Sequence, residues 1–170
     1  MKQVPLHDLR EKYCAKCKVK ALRSTGVNLL EKVIHEAKLV VDYGCSTWRN
    51  SKYLEERLKC ETVRLDINPT TRPDVVSYPT HLPLKAGCAD IVLLTHVLMF
   101  LRGMDEVYEA LSEGSRVSSS LLVIECYHVK ASSALRYERK ELEKVFKNLS
   151  LSIMRKRTRT DMENYVLTKT

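Results

Sequence analysis

Two positions of this sequence, a glycine after one apolar run and an acid at the end of the next, could together bind a ligand. Gly44 follows the apolar run KLVVDY, and its missing Cβ would let the backbone turn and approach a ligand closely. A helix that starts near Asn50 would direct free N–H groups and a positive dipole end at the same place. Asp66 ends a second apolar segment, 22 residues after Gly44, where an acid typically accepts hydrogen bonds from ribose hydroxyls. Together these positions predict a cofactor that contains adenosine.

Alternating strands and helices must position this site. The sequence predicts strands at KLVVDY, ETVRLDI, DVVSY, ADIVLLTHV and SSLLVIECY, and two more around a turn near residues 160–164. Helical spacing of apolar residues occurs over 29–37, 51–58, 104–111 and 142–149. Asn28 is expected to cap the first helix, with Glu31 in the place of a capping-box acid. This order predicts a mostly parallel α/β sheet covered on both faces, with at least one antiparallel strand in the final hairpin.

The segment VVDYGCSTWRNSKYL resembles the first motif of the class I S-adenosylmethionine-dependent methyltransferases, an acid-x-Gly-x-Gly-x-Gly loop. Asp42 and Gly44 match that motif, and RLDINP resembles the second motif, with Asp66 in the ribose-binding place. The order of segments is similar over residues 28–170. The resemblance implies a Rossmann-like, doubly wound, mostly parallel seven-stranded sheet that binds S-adenosyl-L-methionine. The cofactor contacts that it implies are Asp42, Gly44, Ser46, Trp48, Asp66, Ile67, Tyr78, Leu82 and Thr95.

Three residues depart from the family pattern. Ser46 and Trp48 stand where the second and third glycines of the first motif would be. Ser46 is small enough for a close turn, whereas the indole of Trp48 would either swing outward as a lid or fill cofactor space. Tyr78 stands where many members have an acid that bonds the adenine amino group; it would stack on adenine instead, unless Asp74 is the matching acid. A catalytically inactive relative that serves as a binding partner therefore stays an alternative to an enzyme.

The acceptor side of such a fold lies beyond the fourth and fifth strands. The resemblance places Thr95 and His96 nearest the transferred methyl group, with Tyr127 and His128 beyond them, and these four are the candidate catalytic residues. His96 has two interpretations, a general base or a structural histidine that bonds a backbone carbonyl. The Asn/Asp-Pro-Pro-aromatic signature of amino-base modifiers and the Pro-Cys nucleophile of cytosine modifiers are both missing from the sequence. The acceptor stays open between RNA, a small molecule and a protein side chain.

The excess positive charge of this chain lies at its two ends. The formal net charge is +8 over 170 residues, yet residues 25–149 hold seventeen basic and seventeen acidic residues. Residues 1–24 carry seven basic against two acidic residues, and residues 150–170 carry five against two. If both ends lie on one face, they form a basic surface suited to RNA or another phosphate-rich partner. Alternatively, Arg155, Lys156, Arg157 and Arg159 only protect a strand edge against aggregation.

Composition predicts one folded domain in the cytoplasm. The hydrophobic fraction of 44% argues against disorder, and no apolar run reaches the roughly 18 residues of a membrane span. The first residues lack the apolar core of a signal peptide. We expect a helical, basic extension over residues 1–27 that covers the substrate, and a methyltransferase-like domain over 28–170. Cys14 and Cys17 form half of a zinc ribbon without a second pair, so we expect reduced thiols and no metal site.

Overall fold

Seven strands and four α-helices make up the part of the chain that this computed structural model describes, which is residues 23–127, 137–158 and 162–170. The strands are β1 (Leu39–Tyr43), β2 (Glu61–Asp66), β3 (Val75–Val76), β4 (Ala89–Thr95), β5 (Ser118–Tyr127), β6 (Leu151–Thr158) and β7 (Met162–Lys169). The helices are α1 (Thr25–Leu30), α2 (Arg49–Leu58), α3 (Met104–Val117) and α4 (Arg139–Asn148), with 3₁₀ turns at Pro69–Thr71 and Leu98–Phe100. Each predicted strand is therefore present.

The strands form one sheet in the order β3-β2-β1-β4-β5-β7-β6. Strands β1 to β5 pair in parallel, and β7 runs antiparallel to both β5 and β6. The chain winds outward from β1 in both directions, so the carboxyl ends of β1 and β4 meet where the strand order reverses. The predicted fold class is confirmed: a doubly wound, mostly parallel seven-stranded α/β sheet with an antiparallel C-terminal hairpin.

Apolar side chains cover both faces of the sheet. Val41 of β1 lies in one buried cluster with Leu111 of α3 and with residues of α4. Its neighbour Val40 lies in the other cluster, with Leu30 of α1 and Leu54 of α2. Successive residues of a strand point to opposite faces, so a strand that is buried on both faces needs a continuous apolar sequence. The run KLVVDY therefore suits β1 to its place in the interior of the sheet, between β2 and β4.

The first helix of the described residues starts earlier and is shorter than the sequence predicted. Ser24, rather than Asn28, is the N-cap of α1, and its hydroxyl accepts a hydrogen bond from the Val27 N–H at 3.3 Å. The helix has only six residues, so the apolar stripe that continues to Ala37 predicted a longer helix wrongly. Helix α1 packs on the sheet against β5 and β7, and the predicted boundary between residues 27 and 28 falls inside it.

Candidate functional site

The loop between β1 and α2 turns sharply at Gly44, which has a φ of +76°. A Cβ at this position would lie only 2.6 Å from the Cγ2 atom of Val97, which follows β4. The Gly44 N–H donates a hydrogen bond to the carbonyl of Leu65 in β2 at 2.8 Å. The loop thus passes closely over the ends of β2 and β4, the two strands on either side of β1, and glycine suits the turn because it has no Cβ.

Asp66 lies at the end of β2, directly beside this loop, and is buried. Its Oδ2 atom accepts a hydrogen bond from the Ser46 N–H at 3.0 Å, and its Oδ1 atom accepts one from the Asn68 N–H at 2.9 Å. These two donors fix the orientation of the carboxylate, while each oxygen keeps a further lone pair for a ligand. The structure therefore brings together Gly44 and Asp66, the two positions on which the adenosine prediction depends.

Two positions of the loop adopt the backbone conformation of glycine without being glycine. Ser46 has a φ of 45° and Trp48 has a φ of 63°, both in the left-handed region. The indole N–H of Trp48 donates to the carbonyl of Thr71 at 2.9 Å, and the Arg64 guanidinium lies 4.8 Å from the ring centroid. The loop thus keeps the conformation that the missing glycines would allow, and the indole lies against β2 and the turn that follows it.

Asp42 lies buried at the end of β1, two residues before the turn. Its Oδ2 atom accepts a hydrogen bond from the Ser51 hydroxyl at 2.6 Å, whereas its buried Oδ1 atom has no hydrogen-bond partner among the described residues. Burial raises the pKa of Asp42 to about 6, although the hydrogen bond from Ser51 acts to lower it. This carboxyl group therefore changes its charge not far below neutral pH.

A second polar cluster lies at the ends of β4 and β5. His96 follows β4 with a φ of 59°, and its Nε2 atom lies 3.0 Å from Oε1 of Glu125, whose side chain is only 2% exposed. The other carboxylate oxygen, Oε2, accepts a hydrogen bond from the Gly26 N–H at 2.7 Å. Burial acts to raise the pKa of Glu125, but the contacts with His96 and Gly26 outweigh burial and lower it below its ordinary value. Glu125 is thus held as a carboxylate beside an imidazole.

Asn50 connects the β1–α2 loop with this second cluster. Its Nδ2 atom donates to the Thr95 hydroxyl at 2.9 Å, and its Oδ1 atom accepts from the Ser24 N–H at 2.8 Å. Sequence reasoning missed Asn50 and Glu125 as site residues because their partners are far away along the chain; Gly26 and Glu125, for example, are 99 residues apart. The available signal was the single charged residue in the apolar run SSLLVIECY.

The remaining predicted site residues lie in several places. The Tyr78 hydroxyl donates to Oε2 of Glu106 in α3 at 2.9 Å, and Leu82 is packed in the hydrophobic core. Ile67 is half-buried after Asp66. Tyr127 ends β5, and His128 lies outside the described residues. The roles assigned to these residues stay predictions.

The basic residues of β6 lie on two faces of this edge strand. The Lys156 ammonium lies 2.6 Å from Oε1 of Glu143 in α4. Arg155 and Arg157 are exposed, and strand alternation directs them to the other face of the sheet. Arg157 pairs with a residue of β7 that is itself opposite Glu125 of β5, so it lies at the same end of the sheet as the second cluster. Arg159 and the N-terminal basic residues lie outside the described part of the chain.

Membrane-spanning helices and clusters of metal ligands are both missing from the described residues. None of the helices within 23–127, 137–158 and 162–170 has the length and apolar character that crossing a membrane requires. Over the same ranges, no group of three or more His, Cys, Asp or Glu residues is placed to hold a metal ion. Cys14 and Cys17 lie outside these ranges, so the prediction about their thiols stays a prediction.

Comparison with known proteins identifies the class of this fold. Residues 41–120 match the family model of a methyltransferase domain. An S-adenosylmethionine-dependent methyltransferase from Aquifex aeolicus aligns with a TM-score of 0.73 at 11% identity, over 99% of this chain and 100% of that one. Magnesium protoporphyrin IX methyltransferase from Synechocystis PCC 6803, solved with bound S-adenosylmethionine, aligns with a TM-score of 0.68 at 16% identity, over 100% and 86%. The [4+2]-cyclase SpnF aligns with a TM-score of 0.70 at 10% identity, over 81% and 76%. A search of curated proteins found no match.

These findings confirm the predicted resemblance to the class I S-adenosylmethionine-dependent methyltransferases. The matched range contains Asp42, Gly44, Asp66 and Thr95, the residues at the ends of β1, β2 and β4. The Aquifex and Synechocystis proteins are both named for S-adenosylmethionine, the cofactor that the sequence predicted for this chain. The cyclase shows that the same fold also occurs in a protein named for a different reaction, so the reaction of this chain must be argued from its site.

Proposed function

We propose that this protein is an S-adenosylmethionine-dependent methyltransferase. The observation that carries the proposal is the contact between the Ser46 N–H and Asp66, which joins the Gly44 turn, at the reversal point of the sheet, to a buried carboxylate at the end of β2. When bound, the cofactor supplies an electrophilic methyl group on a sulfonium centre. Whether S-adenosylmethionine binds beside the Gly44 turn depends on the residues that surround the turn.

The residues present fit this cofactor. Asp66 has two carboxylate oxygens with lone pairs that would accept hydrogen bonds from ribose hydroxyls. The glycine turn leaves backbone space that a Cβ would occupy. Asp42 has a buried carboxylate oxygen without a partner among the described residues, so its negative charge would lie beneath the turn and attract a cationic ligand bound above it. Two buried acids, Asp42 and Asp66, would repel an anionic molecule bound at this place.

His96 and Glu125 support an acceptor that loses a proton when it is methylated. A hydroxyl or ammonium group must give up one proton in this reaction, whereas a thiolate does not. His96 would accept that proton, and the adjacent Glu125 carboxylate, at 3.0 Å, would stabilise the resulting imidazolium. Gly26 fixes the second oxygen of Glu125, so the carboxylate keeps its orientation while the charge on the imidazole changes.

The proposed activity is tested by measuring formation of S-adenosylhomocysteine. Purified protein is incubated with S-adenosylmethionine labelled in the methyl group and with separate fractions of small metabolites, total RNA and soluble protein. We expect demethylated product with one of these fractions, and strong loss of product in the Asp66→Ala variant. Cofactor binding without product in any fraction would contradict methyl transfer.

An inactive binding module is the second candidate. Ser46 and Trp48 favour it, because both hold left-handed backbone conformations where glycine costs nothing. The cyclase SpnF has the same fold under a different reaction name, which also favours other uses of this architecture. Under this alternative the protein would bind S-adenosylmethionine and leave its methyl group in place.

We further propose RNA, or another phosphate-rich molecule, as a partner. Arg155 and Arg157 support this, since they are exposed on one face at the end of the sheet where Glu125 lies. Neither forms an ion pair among the described residues, whereas Lys156 between them is bound to Glu143. Two such arginines offer bidentate contacts to phosphate oxygens.

A further inference from the structure

The side chain of Trp48 occupies a position where a small residue would suit the backbone. With φ 63° and ψ 17°, its backbone lies in the left-handed region, which costs a residue other than glycine about 1 kcal/mol. Such a conformation persists only where surrounding contacts hold it. The contacts of the indole should therefore show which interactions offset the backbone cost at position 48.

The indole ties the cofactor loop to the segment after β2. Its N–H donates to the Thr71 carbonyl at 2.9 Å, and its ring is covered by the guanidinium of Arg64 at 4.8 Å and approached by the ammonium of Lys52 at 5.6 Å. Cation–ring contacts at these distances stabilise the ring in place. The side chain is thus held by β2, by α2 and by the turn that follows β2.

The segment that Trp48 holds is also the segment that orients Asp66. Thr71 ends the Pro69–Thr71 turn, and its hydroxyl donates to the carbonyl of Asn68 at 2.8 Å. The Asn68 N–H donates to one oxygen of Asp66, and the Ser46 N–H in the cofactor loop donates to the other. A closed ring of contacts therefore runs from Trp48 through Thr71, Asn68 and Asp66 to Ser46 and back along the loop.

We propose that Trp48 is a positioning residue for the cofactor, which clamps the β1–α2 loop to the segment after β2 and so fixes the Asp66 carboxylate. This inference rests on the proposed cofactor site. It leads to an expectation opposite to that from the family motif. Replacing Trp48 by glycine restores the usual residue and relieves the backbone, yet it should weaken cofactor binding because the clamp is lost.

The test compares Trp48→Phe and Trp48→Gly with Tyr53→Phe as the matched control. Phenylalanine keeps a ring under Arg64 but removes the N–H. Tyr53 lies in α2, which begins directly after Trp48. Its ring is covered by Arg23 at 4.2 Å and its hydroxyl donates to Glu31 at 2.6 Å, but neither contact leads to Asp66. Calorimetry with S-adenosylhomocysteine should show Kd raised about three- to tenfold in Trp48→Phe, more in Trp48→Gly, and unchanged in Tyr53→Phe.

Two further measurements separate the clamp from a general loss of stability and from failure of the proposed function. In an Asp66→Asn background, Trp48→Phe should have little additional effect on Kd, because the clamp acts through that carboxylate. In the ligand-free protein, hydrogen exchange of the Ser46 and Asn68 amides should accelerate in Trp48→Phe and not in Tyr53→Phe. Three results would each overturn the clamp. They are unchanged amide exchange in Trp48→Phe, binding by Trp48→Gly that is as tight as or tighter than that of the wild type, and effects of Trp48→Phe and Asp66→Asn on Kd that are fully additive. Absence of binding by the wild type would overturn the cofactor site, while the amide exchange still decides the clamp.

Discussion

The carboxylate of Glu125 lies 3.0 Å from the imidazole of His96, across the ends of two neighbouring strands. The Glu125 side chain also accepts a hydrogen bond from the Gly26 N–H. In addition, the backbone N–H of His96 donates to the backbone carbonyl of Glu125 at 2.7 Å. Contacts to a buried ionised group are among the stronger ones in a protein. The pair therefore links β4, β5 and the start of α1 at the edge of the sheet where the β1–α2 loop lies.

Replacing Glu125 by glutamine should change how stability depends on pH. The folded-state pKa of Glu125 is below its ordinary value of 4.5, so its stabilising effect is fully present above that pH and is lost as pH falls through the folded-state pKa. We expect Glu125→Gln to lower the free energy of unfolding by about 1–3 kcal/mol at pH 7, and by less at pH 3.5. Urea unfolding at both pH values measures this, with exposed Glu109→Gln as the control. Parallel pH profiles of Glu125→Gln and wild type would contradict the prediction.

Asp42 should have the opposite effect on the pH profile. Its folded-state pKa of about 6 exceeds the ordinary 3.8, so ionisation disfavours the folded state and stability falls as pH rises between these values. We expect the free energy of unfolding of Asp42→Asn, relative to wild type, to rise by about 2 kcal/mol between pH 4 and pH 7. Chemical unfolding across this range measures the difference, and Asp105→Asn on the exposed side of α3 is the control. A difference that does not change with pH would show that Asp42 is ionised without penalty.

Gly44 and Gly87 provide a matched pair for testing the close approach at the turn. Both have a positive φ, +76° and +63°, but a Cβ at Gly44 meets Val97 at 2.6 Å, whereas a Cβ at Gly87 meets nothing within 4 Å. We expect Gly87→Ala to lower the free energy of unfolding by only about 1 kcal/mol, through backbone strain. Gly44→Ala should lower it further, because of the contact with Val97, and should also weaken cofactor binding. Urea unfolding of both variants checks this. Equal losses would mean that Val97 moves aside freely.

Much of this fold followed from local patterns, because each pattern has a local physical cause. The run ADIVLLTHV is apolar since β4 is buried on both faces, and Gly44 and Asp66 come together because parallel strands carry their carboxyl ends to one edge. The prediction that Asn28 caps the first helix was wrong, and the cause is also local. Capping patterns are short, and Ser24 three residues before Val27 satisfied the helix start earlier.

The rest of the site depends on contacts that local patterns do not encode. Glu125 binds Gly26, and Asn50 binds Thr95, across long stretches of chain, so their roles emerge only when the sheet is assembled. Trp48 was predicted either to cover the cofactor or to fill its space. The structure places its indole against Thr71 and Arg64, which could be predicted only if the position of the turn after β2 were known.

The exposed arginines of β6 allow a test of RNA binding. The double variant Arg155→Gln/Arg157→Gln should bind transfer RNA less tightly and show a smaller slope of log affinity against log salt, because fewer phosphates are neutralised. Lys156→Gln is the matched control, since its ammonium lies on the other face beside Glu143. Filter binding over a series of salt concentrations measures the slopes. Equal slopes for the double variant and the wild type would remove these arginines as an RNA contact.

Calorimetry with S-adenosylmethionine and S-adenosylhomocysteine tests the central claim most directly, that the Gly44 turn and Asp66 form a cofactor site. We predict binding of both molecules in the micromolar range by the wild type. Asp66→Ala should weaken binding by about 1–3 kcal/mol, because the hydrogen bonds to an ionised group are lost. Circular dichroism establishes that both proteins are folded. A folded wild type that gives no binding heat with millimolar cofactor, or an Asp66→Ala variant that binds as tightly as the wild type, would contradict this account of the site.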